Sequence, residues 1–370
     1  MQKIPDTFCP AKWDELQINL DNNFVYACCK AAPVEITENF ENVLDQQKYN
    51  LLNNIQDPSC NYCWEVEKNN LSSLRHYKLE NYTRDYKEYV DNCGPSYVEI
   101  NLGNECNFQC VYCNPKFSSR WQSDVTKKPY KLYSDKFFYA IPINHTRKKE
   151  QITKLFNHYG KISQTIGIIG GEPFYNKSFL DIVKNLQAPN LDVVTNLSAH
   201  QDDIQKFFEL TLDLKSVVFQ ISIDSTGDVA EFTRFGINFL KFKDNLQFVL
   251  ENAPKNYIIE LSSVLTSTTI LDLHNTINFI IPLLAKDRVR WNLSPCINPR
   301  FHSFATLKDT HKPELLILLE QLKSHSNIRN VDSVKSAILS NKFNNTMYNQ
   351  LKHFYNEFAA RKKIKIPFNL

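Results

Sequence analysis

The sequence has no long apolar run. Its most apolar stretch, Ile277–Ala285 (INFIIPLLA), carries Pro282 and is far too short to cross a bilayer. The opening residues, MQKIPDTFCPAKWDELQ, contain no apolar core of a secretory signal. The expectation is a soluble, cytoplasmic protein without a membrane segment. A charge excess is missing too: the formal net charge is +3, and acidic and basic residues alternate along the chain. That removes any electrostatic reason to expect nucleic acid or an anionic membrane as partner. The short basic runs Arg147–Lys149 and Arg361–Lys365 read as solvated surface. Internal repeats and low-complexity segments are absent. Glycine is scarce, eight in 370 residues, which makes the one Gly-Gly pair, Gly170-Gly171, conspicuous.

What is present is enough to fold. The chain is 42% hydrophobic and 22% charged, within the globular range. At roughly 100–200 residues per domain, its length suggests two or three domains. It carries ten cysteines, which in a reducing compartment are not expected as disulfides; clustered ones suggest metal. Cys9, Cys28, Cys29, Cys60, Cys63 and Cys93 fall in the first quarter, Cys106, Cys110 and Cys113 follow, and Cys296 stands alone. The change of character near Asn92–Pro95 marks a boundary.

From Tyr97 onward strand and helix signals alternate. YVEINL (Tyr97–Leu102) has the period of a half-buried strand, and Ile152, Leu155, Phe156 and Tyr159 share a helical face. Further strands are expected at Thr165–Ile169, Leu191–Thr195, Ser216–Ile223, Tyr257–Leu265 and Arg288–Leu293. Helices are expected at Ser178–Leu186, Ile237–Asn252 and Ile270–Leu284. Six strands with intervening helices predict an α/β fold with a parallel sheet, short of the eight strands of a closed barrel. After Pro299 the pattern is helical, with Met347, Leu351, Phe354, Tyr355 and Phe358 on one face. Pro115–His145 is aromatic-rich and lacks clear periodicity; it reads either as a functional loop or as an ordered excursion.

ECNFQCVYCN (Glu105–Asn114) sets three cysteines at i, i+4 and i+7. One face of a helix would share that spacing, but Asn107, Asn114 and Pro115 favour turns. The loop follows the first strand of the βα series, where active-site loops of such sheets lie. Three thiolates suit zinc or an iron–sulfur centre and leave one coordination position open for a reactant. With Tyr112 before the last cysteine, this CxxxCxxC loop resembles that of the radical SAM enzymes. The resemblance implies a partial (β/α)6 barrel and a 4Fe–4S cluster on Cys106, Cys110 and Cys113. It also implies S-adenosylmethionine on the open iron, reductive cleavage to a 5′-deoxyadenosyl radical, and hydrogen abstraction from substrate. Gly170-Gly171-Glu172-Pro173 resembles the family's GGEP motif, which meets the SAM amino group. Thr195-Asn196 resembles its polar strand end near the methionyl part, and Ser222 and Asp224 its ribose-contacting segment. LSSVLT on the fifth strand lacks the family's glycines, so no residue is assigned there. Cys296 reads as a buried thiol acting as a small hydrophobe, a substrate-facing role being the alternative.

In the first ninety residues Cys60-x-x-Cys63 has metal-ligand spacing, and Cys9 and Cys28 complete a four-cysteine set, with Cys29 as the substitute for Cys28. The stretch resembles the SPASM or twitch auxiliary-cluster module, with Asn23 at the place of its turn glycine, five residues before Cys28. Here it precedes the barrel and is truncated, as in uncharacterised twitch-containing radical SAM proteins, which also share a CNPxFSSxW-like segment (Cys113–Trp121). Cys93 and the spare neighbour of the Cys28–Cys29 pair read as inert, and Trp64 as core packing. The expected organisation is an auxiliary iron–sulfur domain at 1–92, a radical SAM barrel at 93–300 and a helical extension at 301–370. The resemblance implies an enzyme acting on a peptide or protein, with a small metabolite as the second substrate class, supplied by a one-electron donor such as flavodoxin or ferredoxin. A non-catalytic protein with zinc at both cysteine clusters is the reading from a different class.

Overall fold

A computed structural model of the chain describes residues 4–19, 23–68, 72–80, 86–91, 94–130 and 149–368. Cys93 and the part of the aromatic-rich segment after Tyr130 lie outside them. In chain order the strands are β1 (Glu15–Asn19), β2 (Phe24–Tyr26), β3 (Val34–Glu35), β4 (Tyr97–Asn101), β5 (Gln109–Cys110), β6 (Thr165–Ile169), β7 (Asn190–Thr195), β8 (Ser216–Ser222), β9 (Arg234–Phe235), β10 (Tyr257–Leu265), β11 (Val289–Pro295) and β12 (Ile328–Arg329). The fold is α/β and its strands are mostly parallel. Two compact units divide the chain, one of residues 1–103, 142–170 and 181–192, the other of 104–141, 171–180 and 193–370.

The first unit carries the order β3-β2-β1-β4-β6. β1 runs parallel to β4, with Leu16 opposite Val98 and Ile18 opposite Ile100, and β4 runs parallel to β6, with Val98 opposite Ile166. Branched side chains on alternate positions fill this pleated surface. β1 turns back antiparallel into β2. Asn23, next to β2, stands at φ +65°, a left-handed conformation that Asn tolerates better than most residues. A separate core gathers Phe8, Trp13, Leu51, Trp64 and Tyr89 around Cys9, Cys28 and Cys60.

The second unit carries β8-β10-β11-β12, all parallel, with Ile221 opposite Leu261 and Leu261 opposite Trp291. β8 buries Val217, Phe219 and Ile221 on alternate positions. β5 and β9 form a separate antiparallel pair that sets Cys110 opposite Arg234. The helix expected over Ile270–Leu284 is broken: a 3-10 turn at Thr269–Asp272 precedes the α-helix Leu273–Ile280, which yields to a 3-10 turn at Ile281–Ala285. Pro282 explains the second break, since it offers no N–H and its ring crowds the preceding turn. The aperiodic segment after Pro115 contains a helix, Ser119–Lys127, capped by Ser118, whose Oγ accepts from Trp121 N at 3.3 Å. It turns Trp121 and Val125 inward, against Phe354, Tyr355 and Phe358 of the C-terminal helix Asn345–Lys362. Among the described residues no helix is long and apolar enough to cross a membrane.

Candidate metal and cofactor site

The three-cysteine segment is a loop stitched by its own polar side chains. Asn104 Nδ2 donates to Pro115 O (2.9 Å), Ser118 Oγ to Phe108 O (2.7 Å), and Cys106 N to Ser119 Oγ (3.1 Å). Val111 N donates to Thr233 O (2.8 Å) rather than to a carbonyl one helical turn back, so the helical alternative for the spacing does not hold. Trp121 Nε1 reaches Cys110 O at 2.8 Å and ties the loop to the aromatic core. Cys106 is buried, while Cys110 and Cys113 are half-buried. Phe108 N lies 3.4 Å from Cys106 Sγ, in the direction of a hydrogen bond to sulfur. Burial, reinforced by Cys110, pushes the Cys106 thiol up to about 12, and burial also raises Cys110 and Cys113. With no cation on them these sulfurs hold their protons; a bound cation would displace them.

The glycine pair has a spatial reason. Gly171 stands at φ +51°, and a Cβ there would overlap Glu105 O and lie 2.7 Å from Glu105 C. Next to it, Glu172 N donates to that same Glu105 carbonyl at 2.8 Å. Gly170, at φ +95°, is likewise closed to a side chain, by Asn101 and by the carbonyl of Gly103 at 2.8 Å. Glu172 is buried, and its carboxylate accepts from Thr195 Oγ1 (2.7 Å), Asn196 N (2.6 Å) and Phe174 N (3.2 Å). Burial lifts it to about 7 against the pull of those donors. Asn196 Nδ2 in turn donates to Asn107 Oδ1 at 3.0 Å, and Asn107 Nδ2 to Ser198 Oγ at 2.8 Å. Cysteine loop, Gly171-Glu172-Pro173 and Thr195-Asn196 therefore form one hydrogen-bonded frame. Pro173 opens the 3-10 turn that follows.

A second set of contacts closes the other side of the loop. Asp224 is buried and accepts from Val264 N (2.7 Å), Arg234 Nη1 (3.1 Å) and Tyr112 Oη. Arg234 Nη1 also donates to Tyr112 Oη at 2.9 Å, and its Nε is buried without a hydrogen-bond partner among the described residues. The guanidinium pulls Cys110 downward against the larger effect of burial. Sequence reasoning missed Arg234; its only local cue is Gly236 at φ +117°, where a Cβ would press on Asn107 O at 2.9 Å. Ser222 ends β8 opposite Ser262, one residue from the buried Ile223. Cys296 is buried, and its Sγ lies 3.5 Å from Asn298 O.

In the first unit, Cys9, Cys28, Cys60 and Cys63 are all buried and line one small cavity, whereas Cys29 is exposed. Asp57 starts the turn that presents Cys60: its Oδ1 accepts from Ser59 N at 2.9 Å, and the helix Asn61–Lys68 then carries Cys63. Burial pushes Cys9 up to about 12, and Cys28, Cys60 and Cys63 add to the rise. Trp64 packs in this core, with Nε1 on Asp57 O at 2.9 Å. Lys12 and Arg75, which sequence reasoning also missed, share the cavity wall. Among the described residues no group of three or more His, Cys, Asp or Glu side chains is arranged to hold a single metal ion.

No curated protein matches the chain. Among solved structures, Streptococcus suis SuiB bound to S-adenosylmethionine is similar at 13% identity and a TM-score of 0.43, over 88% of this chain and 72% of that one. SuiB bound to its precursor peptide SuiA gives 12% and 0.38, over 95% and 70%. The family model described as Radical SAM superfamily matches residues 100–280, a span that includes the cysteine loop, Gly170-Gly171-Glu172-Pro173, Thr195-Asn196, Ser222, Asp224 and Arg234. Residues 100–280 are thus similar to the Radical SAM superfamily over just under half of the chain, and the chain is an enzyme, of a substrate that neither comparison names.

Proposed function

We propose that Cys106, Cys110 and Cys113 hold a 4Fe–4S cluster and that S-adenosylmethionine binds beside it. The frame that joins the three-cysteine loop to Glu172, Thr195 and Asn196 carries this reading. The residues suit the group. Three thiols sit on one loop, the backbone at Gly171 leaves no room for a side chain, and a buried guanidinium with a spare N–H stands beside them. When bound, the pair supplies one electron to the sulfonium and a 5′-deoxyadenosyl radical that takes a hydrogen atom from substrate.

This chain's own residues do the rest. Gly170 and Gly171 are read as backbone contacts to the ligand, although what excludes a Cβ from Gly171 is the Glu105 carbonyl of the cysteine loop, and Thr195, Asn196, Ser222 and Asp224 are read as the polar contacts at strand ends. The Glu172 carboxylate, already holding three donors, locks the frame and leaves its charge to favour a nearby ammonium. Asp224 and Arg234 hold the hydroxyl of Tyr112, within the loop, in place.

Cys9, Cys28, Cys60 and Cys63 are read as the ligands of an auxiliary iron–sulfur cluster in an N-terminal segment of residues 1–92, followed by the barrel at 93–300 and the helices at 301–370. A cluster bridged by sulfide needs cysteines farther apart than one ion does; a lone zinc at about 2.3 Å from each sulfur holds them about 3.8 Å apart. A peptide or protein is the proposed substrate, on the resemblance of this N-terminal segment to twitch modules, with flavodoxin or ferredoxin as the class of electron donor. All nine described cysteines are free thiols, which suits a reducing cytoplasm.

The test is anaerobic. Reconstituted protein with S-adenosylmethionine and dithionite should release 5′-deoxyadenosine, and a variant with Cys106, Cys110 and Cys113 changed to Ala should not. Equal product from both, or a wild type that stays colourless after iron and sulfide loading, would overturn the assignment.

A further inference from the structure

Lys12 presents an unsolved charge. It is 3% exposed, and its Nζ donates to Gln47 Oε1 and Ser59 Oγ, each at 2.8 Å. Both acceptors are neutral. The carboxylate in this network, Asp57, is reached only through Ser59, whose Oγ donates to Asp57 Oδ1 at 2.5 Å. Asp57 has its own neutral donors, Ser59 N at 2.9 Å and Asn50 Nδ2 at 2.7 Å; these hold it low, and the Lys12 charge adds a smaller pull from beyond Ser59. Arg75 on the same cavity wall is different: it pairs in bidentate fashion with Glu67, at 3.0 and 2.6 Å. Lysine is almost never fully buried without a counter-charge, because the lost hydration costs several kcal/mol.

What Lys12 does face is the cavity lined by Cys9, Cys28, Cys60 and Cys63. Ser59 Oγ, which accepts a hydrogen bond from its ammonium, lies 4.0 Å from Cys60 Sγ. Four thiolates around an iron–sulfur core outweigh the core's positive charge, so the loaded centre is anionic. Net charge and hydrogen bonding around the sulfurs are among the levers that set the potential of such a centre, and a buried cation acts through a low local dielectric.

We propose that Lys12 is the built-in counter-cation of an anionic iron–sulfur centre held by Cys9, Cys28, Cys60 and Cys63, and that it sets that centre's reduction potential. This rests on the reading of the four cysteines as an iron–sulfur site. Lys12 is a positioning and tuning residue, not a ligand. Removing its charge makes the centre harder to reduce. Lys30 lines the same cavity but is exposed, with its Nζ over the Tyr62 ring at 5.0 Å, so water screens it and its removal has little effect.

The experiment uses the full chain with Cys106, Cys110 and Cys113 changed to Ala, so that the N-terminal centre alone contributes. Iron and sulfide content are measured first, then the midpoint potential by an EPR-monitored redox titration. In that background Lys12→Met should lower the reduced-to-oxidised ratio at fixed potential at least tenfold, which is about 59 mV for a one-electron couple. Lys12→Arg and Lys30→Met should stay close to the parent. An unmoved potential in Lys12→Met with full iron content overturns the counter-cation role and leaves the iron–sulfur reading intact. No iron in the parent background overturns that reading and the proposal with it. If Lys12→Met loads no iron, retention of iron by Lys12→Arg supports the charge role, and loss in both overturns it in favour of packing.

Discussion

Gly171→Ala isolates the contact on which the cysteine loop depends. A methyl group there overlaps the Glu105 carbonyl oxygen, lies 2.7 Å from its carbon and 3.0 Å from Asn104 C. All three are backbone atoms, so no side chain can rotate away; the loop itself must move, and Cys106 is the next residue along it. The left-handed φ of +51° adds a cost of about 1–2 kcal/mol for any residue with a Cβ. Displacing the loop also breaks the Glu172 N to Glu105 O hydrogen bond of 2.8 Å, about 1 kcal/mol more. The chain contains its own control. Gly227 has φ +49° and nothing within 4 Å of its would-be Cβ, so Gly227→Ala carries the backbone cost without the collision. Urea unfolding of the two variants should therefore differ by at least about 1 kcal/mol, with Gly171→Ala the weaker. After anaerobic reconstitution Gly171→Ala should also hold less iron per chain, while Gly227→Ala matches wild type. Equal stability and equal iron in both variants would refute the view that close backbone approach is why glycine occupies position 171.

Two further outcomes follow from buried charge. Arg234→Leu strips Asp224 of its cation inside a pair whose side chains are 7% and 0% exposed, and breaking such a pair costs about 3–5 kcal/mol. Adding Asp224→Asn should recover most of that loss, and a double-mutant coupling below about 0.5 kcal/mol would show that the pair does not act as a unit. His302 is wholly buried, and burial lowers it to about 3. Its contribution is fully present above its ordinary value of about 6.5 and falls by up to about 1.4 kcal/mol per pH unit as acid charges the unfolded chain, through to pH 3. His302→Gln should remove this slope, so the stability gap between wild type and variant narrows by about 1.6 kcal/mol between pH 6.5 and pH 5; parallel pH profiles would sink the assignment.

The sequence reveals this fold where a pattern repeats along the chain. Thr165–Ile169 and Tyr257–Leu265 are expected as strands and occur over the same residues, because dense branched side chains and flanking turn residues mark them locally. The helix Ser119–Lys127 escapes because it buries only Trp121 and Val125, too few for a period to show. β5, β9 and β12 escape because each has two residues and exists only through a distant partner. The site divides in the same way. Three cysteines in one loop and a lone Gly-Gly pair are local signals. Arg234 and Lys12 look like ordinary basic residues until Tyr112, Asp224, Gln47 and Ser59 close around them. Cys28 and Cys29 are neighbours of identical chemistry, and only the path of the backbone sends one to the cavity and the other to solvent.

The parallel pairing of β1 with β4 bears on how this polypeptide is made and inherited. β1 leaves the ribosome long before β4, and until then the β1–β2–β3 ladder has a bare edge that invites foreign strands. Nor is the front of the gene freely portable. A recombination event that excised the N-terminal cysteines along with β1 would strip β4 of one of its two neighbours and leave it paired with β6 alone.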